Sequence, residues 1–177
     1  MDTFNAIRGM NKREFASQTV SLLYVVASAL VIWKMLSVVT DCESPIVVVL
    51  TGSMEPAFWR GDILFLYMGK EPFQVGDIVV YKQPGKEIPI VHRLTTLHVD
   101  NKGRVKMLTK GDNNHSNDRY GIYNQDIWWL EREHIIGRVK GYLPYVGMVT
   151  IIMNDYPMVK FAVIGILAIM TLTSKEQ

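Results

Sequence analysis

Ser53 stands on a corner of the chain. The apolar run "VVVL" leads into Thr51-Gly52-Ser53-Met54, and Pro56 and the Gly61-Asp62 pair close a second turn before "ILFLYM". Gly, Ser and Pro make such corners through local backbone preference. A loop held between rigid elements is also where catalytic side chains are carried. Serine alone is a weak nucleophile near neutral pH and needs an imidazole to take its proton. His92, in the strand-like "PIVHRL", is the candidate base. Three histidines compete with it: His98 six residues along the same run, His115 in a polar loop, and His134 in "REHIIG" at a further strand start. A carboxylate on the second ring nitrogen would fix the tautomer and stabilise the imidazolium. The loop "KGDNNHSNDRYG" offers two, Asp112 and Asp118. Ser, His and Asp occur together in nearly every chain, so residue type alone is a weak signal.

The elements that must position these groups are short strands. "PIVVVL", "DILFLYM", "DIVVYK", "PIVHRLTTLHV" and "RVKMLTK" are separated by Gly-, Pro- or Asn-rich turns. That spacing predicts an all-β barrel or sandwich-like domain between residues 40 and 156. No strand–helix alternation indicates a Rossmann unit, and there is no repeat or low-complexity tract.

The two ends of the chain differ from the middle. Residues 15–39, "FASQTVSLLYVVASALVIWKMLSVV", form an apolar stretch long enough to cross a bilayer about 30 Å thick. Lys34, beside Trp33 near its end, can extend its ammonium to the headgroups. The run exceeds the apolar core of a cleaved signal peptide and has no A-x-A-like exit, so it reads as a retained anchor. Arg8, Lys12 and Arg13 precede it, whereas Asp41 and Glu43 follow it. The positive-inside rule then places residues 1–14 in the cytosol and the β domain across the membrane. Residues 157–177 end the chain with the apolar run Phe161 to Leu172. As a helix this is about 18 Å long, too short to span, and predicts a short membrane-embedded helix rather than a core helix.

Composition narrows the function classes. Half of the 177 residues are hydrophobic, and the net charge of +2 with no basic run argues against nucleic acid as a partner. Mean hydropathy is positive, at +0.11. The single cysteine, Cys42, excludes an internal disulfide, a cysteine-based zinc site and a redox pair.

Taken with their flanks, "SPIVVVLTGSMEPAFWRGD", "IVHRL", "LTKGDNN" followed by Asp118-Arg119, "GRVKGYLPYVG" and "MNDYP" are specific. They resemble the type I signal peptidases, and within them the catalytic subunits of the eukaryotic endoplasmic-reticulum signal peptidase complex. The resemblance runs from about Asn11 to the final apolar run. It implies a mainly β fold with an N-terminal transmembrane helix and a short C-terminal helix, Ser53 as nucleophile and His92 as general base. The "VHR" stretch places a histidine where bacterial relatives carry a lysine, as in the Ser-His-Asp branch of the endoplasmic reticulum and archaea. Asp118, directly before Arg119, matches the position of the triad acid. Asp112 is also an important acid in the family, and the sequence leaves open which of the two contacts His92. The resemblance gives Thr51 as an oxyanion-binding hydroxyl, with the Ser53 amide as second donor and Met54 in the substrate-binding set. Met54, Ala57, Phe58 and Trp59 read as a membrane-facing rim.

One departure is "HSND" where animal members read roughly Ala-Val-Asp. It creates Asn114-His115-Ser116, a formal N-glycosylation acceptor. A glycan between the two acids would crowd the site, so Asn114 is expected to stay unmodified.

The implied activity is signal-peptide removal by a single-pass serine endopeptidase of the endoplasmic-reticulum membrane, with a lumenal catalytic domain. An archaeal plasma membrane is the second location. The implied partners are signal-peptide-bearing precursors, accessory subunits of a complex, and membrane lipid; no cofactor and no metal are called for. Two other classes are a catalytically inert, membrane-anchored β module and a membrane hydrolase acting on lipids or esters. The co-occurrence of Ser53, His92 and both acids weighs against the first. The lack of a Gly-x-Ser-x-Gly elbow on strand–helix alternation weighs against an α/β-hydrolase.

Overall fold

The computed structural model describes residues 12–101 and 103–173; Arg8 of the basic N-terminal segment lies outside them. The chain divides into two compact units, one ending at Thr40 and one beginning at Asp41.

The described residues of the first unit form one helix, α1 (Lys12–Thr40). Its segment Thr19–Thr40 is 22 residues with a mean hydropathy of 2.1, a length of about 33 Å. Three hydroxyls inside it bond back to the helix's own carbonyls. Ser28 Oγ donates to the Val25 carbonyl at 2.8 Å, Ser37 Oγ to Trp33 at 3.1 Å and Thr40 Oγ1 to Leu36 at 2.8 Å. Back-bonding of this kind lets hydroxyl residues occupy an apolar medium with no orphaned donor.

The second unit is built on one six-stranded antiparallel sheet. Its strands are β1 (Ile46–Val48), β2 (Ile63–Tyr67), β3 (Ile78–Tyr81), β4 (Ile90–Val99), β5 (Val105–Lys110) and β6 (Ile135–Leu143). The spatial order is β1-β2-β6-β3-β4-β5, so the last strand in sequence inserts between the second and third. The expected barrel or sandwich is therefore a single sheet with apolar packing on both faces. β3 makes the reason visible: Val79, Val80 and Tyr81 are all buried. Successive side chains point to opposite faces. Val79 and Tyr81 join Phe73, Leu94, Met107 and Leu130 in one cluster, while Val80 joins Cys42, Val49, Met54, Phe58, Leu64 and Leu66 in the other.

Met54 and Phe58, at 1% and 6% exposure, are core residues and not a membrane-facing rim. Their side chains are buried with Val49 and Leu64 beneath the serine turn. Only Trp59 of that set is largely exposed.

The C-terminal region holds two helices, α2 (Met148–Asp155) and α3 (Pro157–Thr173), with the axis bent by 108° between α2 and the Pro157–Ile166 part of α3. Tyr156 lies outside helical geometry because a residue before proline avoids it, and Pro157 then starts α3 with its preset φ. α3 is longer than the apolar run inside it, about 26 Å. Phe161, Val163, Ile164 and Ile166 are exposed, so α3 is not a core helix. α2 anchors to the sheet unit through buried Ile151 and the Arg60–Asp155 ion pair at 2.7 Å.

Candidate active site

Ser53 is fixed by the turns that follow β1. Glu55 N–H donates to the Gly52 carbonyl at 3.2 Å and Phe58 N–H to the Met54 carbonyl at 3.0 Å. Asp62, 1% exposed, ties the far end of this loop. Its carboxylate accepts the Trp59 N–H at 2.9 Å and the Tyr145 N–H at 3.0 Å. A buried carboxylate holding two backbone donors is costly to remove. Nothing distinguished it in the sequence from the Gly-Asp pair of an ordinary turn.

His92 is carried on β4 opposite Val79 of β3. That register directs the imidazole to the face shared by Val79 and Tyr81. It is 2% exposed. His92 Nε2 lies 3.2 Å from Ser53 Oγ, and Nδ1 lies 2.6 Å from Asp118 Oδ2. With the carboxylate oxygen accepting, Nδ1 carries the proton and Nε2 remains as acceptor for the serine hydroxyl. Thr51 Oγ1 is 3.3 Å from Ser53 Oγ on the exposed side.

The two candidate acids separate cleanly. Asp118 is fully buried and sits on His92. Asp112 points to the neighbouring side chain, forming a bidentate pair with Arg93 at 2.8 Å (Nε–Oδ1) and 2.6 Å (Nη2–Oδ2). Arg93 Nη1 also donates to the Gly76 carbonyl at 3.0 Å. The Arg93 hydrogen bonds hold the Asp112 carboxyl below its usual range, and the same bonds raise the Arg93 guanidinium. The rival histidines are placed elsewhere. His98 stacks on Trp129, His134 accepts the Glu131 N–H in a 3-10 turn, and His115 is exposed.

The loop 110–114 binds the serine turn from the other side. Asn113 N–H donates to the Ser53 carbonyl at 3.0 Å and Asn113 Nδ2 to the Gly52 carbonyl at 3.1 Å. Gly111 lies where any Cβ would stand 2.7 Å from the Ser53 carbonyl oxygen and 2.8 Å from His92 Nε2. The sequence marks Gly111 only as turn punctuation; its need for a bare backbone is visible only with both neighbours in place.

Behind Asp118 lies a buried network that sequence reasoning missed. Tyr81 O–H donates to Asp118 Oδ2 at 3.0 Å, and Thr109 O–H donates to the same oxygen at 2.5 Å. Tyr123 O–H lies 2.7 Å from Thr109 Oγ1 and accepts the Thr109 N–H at 3.1 Å. Burial, then the Asp118 charge, pushes the Tyr81 phenol far above the ordinary tyrosine range. Burial pushes Tyr123 up to about 12.

In front of the serine is an apolar cavity of about 540 Å³. Residues 47–51 and 88–92, together with Ser53, Met54 and Ile122, line it. A larger cavity, about 880 Å³, is lined by charged residues including Asp41, Lys82, Lys86 and Glu133 and contains none of Ser53, His92 or Asp118. A serine hydroxyl bonded to a buried, carboxylate-backed imidazole in the lining of an apolar cleft is equipped for acyl transfer.

Comparison with known proteins matches residues 148–173 to the family described as "Signal peptidase C-terminal short helix". The chain is 52% identical over 177 residues to a signal peptidase complex catalytic subunit of Rattus norvegicus, covering 99% of this chain and 92% of that one. It is 51% identical over the same span to the corresponding subunit of Homo sapiens. A Dictyostelium discoideum subunit of the same description is 52% identical over 172 residues, 97% of this chain and 96% of that one.

Proposed function

Because this chain belongs to the catalytic subunits of the signal peptidase complex, we propose that it cleaves signal peptides from precursor proteins with Ser53, His92 and Asp118 as its catalytic triad. The observation that carries the residue assignment is the unbroken line from Ser53 Oγ to His92 to Asp118, at 3.2 and 2.6 Å. Ser53 Oγ attacks the scissile carbonyl as its proton passes to His92 Nε2. The imidazolium, held by Asp118, protonates the leaving amine. Water then attacks the acyl carbon as its proton passes to His92, and His92 returns that proton to Ser53 Oγ as the acyl–oxygen bond breaks. Thr51 Oγ1 and the Ser53 amide are the expected donors to the oxyanion. Asp112 acts through position, holding the 110–114 loop by its pair with Arg93. The apolar cleft beside Ser53 suits apolar side chains before the scissile bond, as an A-x-A-like exit would supply.

α1 is the membrane span, the chain works in the endoplasmic-reticulum membrane, and other subunits of the complex are its partners. Arg13 before the apolar segment and Asp41 and Glu43 after it support a cytosolic N-terminus and a lumenal catalytic unit. α3, exposed, apolar and shorter than a bilayer, is suited to lipid contact beside the substrate's own apolar segment. Asn114 is half-buried, and its Nδ2 would lie only 2.7 Å from a Cβ at Gly111. That placement favours an unmodified side chain.

The test is cleavage of a presecretory peptide, with a short-chain ester in parallel, by the complex carrying Ser53→Ala or His92→Ala. Peptide cleavage should fall by several orders of magnitude, as triad deletions do elsewhere. Normal processing by either assembled variant would overturn the assignment. Turnover of the ester alone would move the chain to the hydrolase class.

A further inference from the structure

We propose that Tyr81 is a positioning residue for the triad: its phenol O–H, with Thr109, holds Asp118 with Oδ2 on His92 and sets how tightly His92 keeps the serine proton. The inference rests on the triad assignment above. Its ground is the convergence of three donors on one carboxylate oxygen. Oδ2 receives His92 Nδ1–H, Tyr81 O–H and Thr109 O–H, while Oδ1 is buried and takes none of them. A carboxylate with all its donors on one oxygen is held in a single rotation, and the charge on that oxygen is shared among them.

The donor directions are fixed by elimination. Thr109 O–H is given to Asp118, so Thr109 Oγ1 must receive the Tyr123 O–H, and Tyr123 in turn receives the Thr109 N–H. The chain of hydroxyls therefore points inward to Asp118 from two sides. Tyr81 reaches it because β3 and β4 pair with Val79 opposite His92, leaving Tyr81 two residues on along the same face. In the β3–β6 pairing the register shifts beside Tyr81, leaving Ile136 of β6 as the extra residue there. Since its phenol is pushed far above the ordinary range, Tyr81 remains a donor at any working pH. The competing account is plain packing, with Tyr81 edge-to-face on Tyr123 at 6.0 Å. Tyr81→Phe keeps that ring and removes only the donor.

The direction of the effect follows from charge. Without the Tyr81 donor, Asp118 Oδ2 carries more charge and stabilises the imidazolium more strongly. Nε2 then keeps its proton to higher pH, and the acid limb of the kcat/KM profile moves upward. His92 is faced by Ser53 from the turn after β1, Tyr81 from β3, and Asp112 and Asp118 from the β5–β6 connection. Asp118 is faced further by Thr109 from β5 and by Tyr123. Only the Tyr81 donor changes in the variant.

The experiment measures kcat, KM and the pH profile for a presecretory peptide with complex assembled around each variant. Tyr81→Phe is expected to lower kcat about tenfold, since two of three donors remain. KM should hold and the acid limb should shift to higher pH. Thr109→Val should shift it the same way, and Thr109→Ser should restore it toward the parent. Wild-type kcat with a superimposable profile for Tyr81→Phe, alongside an inactive Ser53→Ala, overturns the inference and leaves the triad standing. An active Ser53→Ala overturns the triad itself. Should Tyr81→Phe not assemble, the Thr109 pair decides by the same readout.

Discussion

Gly111→Ala tests whether the site depends on a bare backbone between the serine and the histidine. The added methyl would lie 2.7 Å from the Ser53 carbonyl oxygen, 2.7 Å from Asn114 Nδ2 and 2.8 Å from His92 Nε2. The Asn114 amide is the tip of a side chain and can swing away. The other two cannot: one is backbone, and the other is a ring bonded at both nitrogens. Ordinary contact begins near 3.4 Å, so the loop and the imidazole must separate by roughly 0.6 Å. If the ring takes that displacement along its bond to Ser53 Oγ, the 3.2 Å separation becomes about 3.8 Å, beyond hydrogen-bond length. Misplacement by about 1 Å costs about 100-fold, so kcat should fall roughly 10- to 100-fold, or about 1.4–2.8 kcal/mol of barrier. Overpacking should also lower stability by about 1–3 kcal/mol. The assay is steady-state cleavage of a presecretory peptide by assembled complex, with thermal unfolding alongside. Gly141→Ala is the control, because a Cβ there meets only a Phe65 ring carbon at 3.9 Å. Equal, undiminished kcat for the two variants would refute the reasoning.

Five more outcomes are expected. Asp118→Asn should lower kcat by about 10³- to 10⁴-fold by disturbing the His92 tautomer; Asp112→Asn should act more weakly and through the Arg93 pair, and the reverse ranking would reassign the acid. The Asp112 carboxyl is held low by Arg93, so its stabilisation, at most about 1 kcal/mol after screening, is present above about pH 4 and lost as pH falls through the lower folded value; thermal melts should converge for wild type and Asp112→Asn at that acid end. Tyr123 is raised to about 12, so stability present below about pH 10 should be lost as pH rises toward 12, and alkaline melts of Tyr123→Phe that fall as steeply as wild type would count against this. Replacing Phe161–Leu172 by a full-length apolar span should weaken discrimination against precursors with longer apolar segments, by removing a helix suited to a thinned bilayer; unchanged selectivity rejects that role. Asn114 should carry no glycan in active complex, and a mass spectrum showing full occupancy would contradict the crowding argument.

Much of the architecture was legible in the chain because its cause is local. Alternating or wholly apolar runs bounded by Gly, Pro and Asn marked β1 to β5, and β6 showed only its start at "REHIIG". An apolar stretch of bilayer length marked α1 and the run Phe161 to Leu172 marked α3, whereas α2 carried no such mark. The turn carrying Ser53 and the strand carrying His92 were equally plain, since Gly52, Pro56 and the run "PIVHRL" act within a few residues of themselves.

The linear chain supplies the parts: a serine on a corner, a histidine in a strand, two acids in one loop, and apolar segments able to meet a membrane. Which parts meet was decided by tertiary structure, because Ser53 and His92 are 39 residues apart and His92 and Asp118 are 26. Strand register settles such distances. A one-residue slip of β4 against β3 would turn His92 to the opposite face, away from Tyr81 and Asp118. The same long-range pairing gave Asp118 to the histidine and Asp112 to Arg93, and drew Met54 and Phe58 under the sheet and not toward lipid. It also converted Gly111, Tyr81 and Thr109 from a turn residue and two strand residues into the walls of the site. No pattern along the chain encodes those roles, since each depends on atoms contributed by another strand.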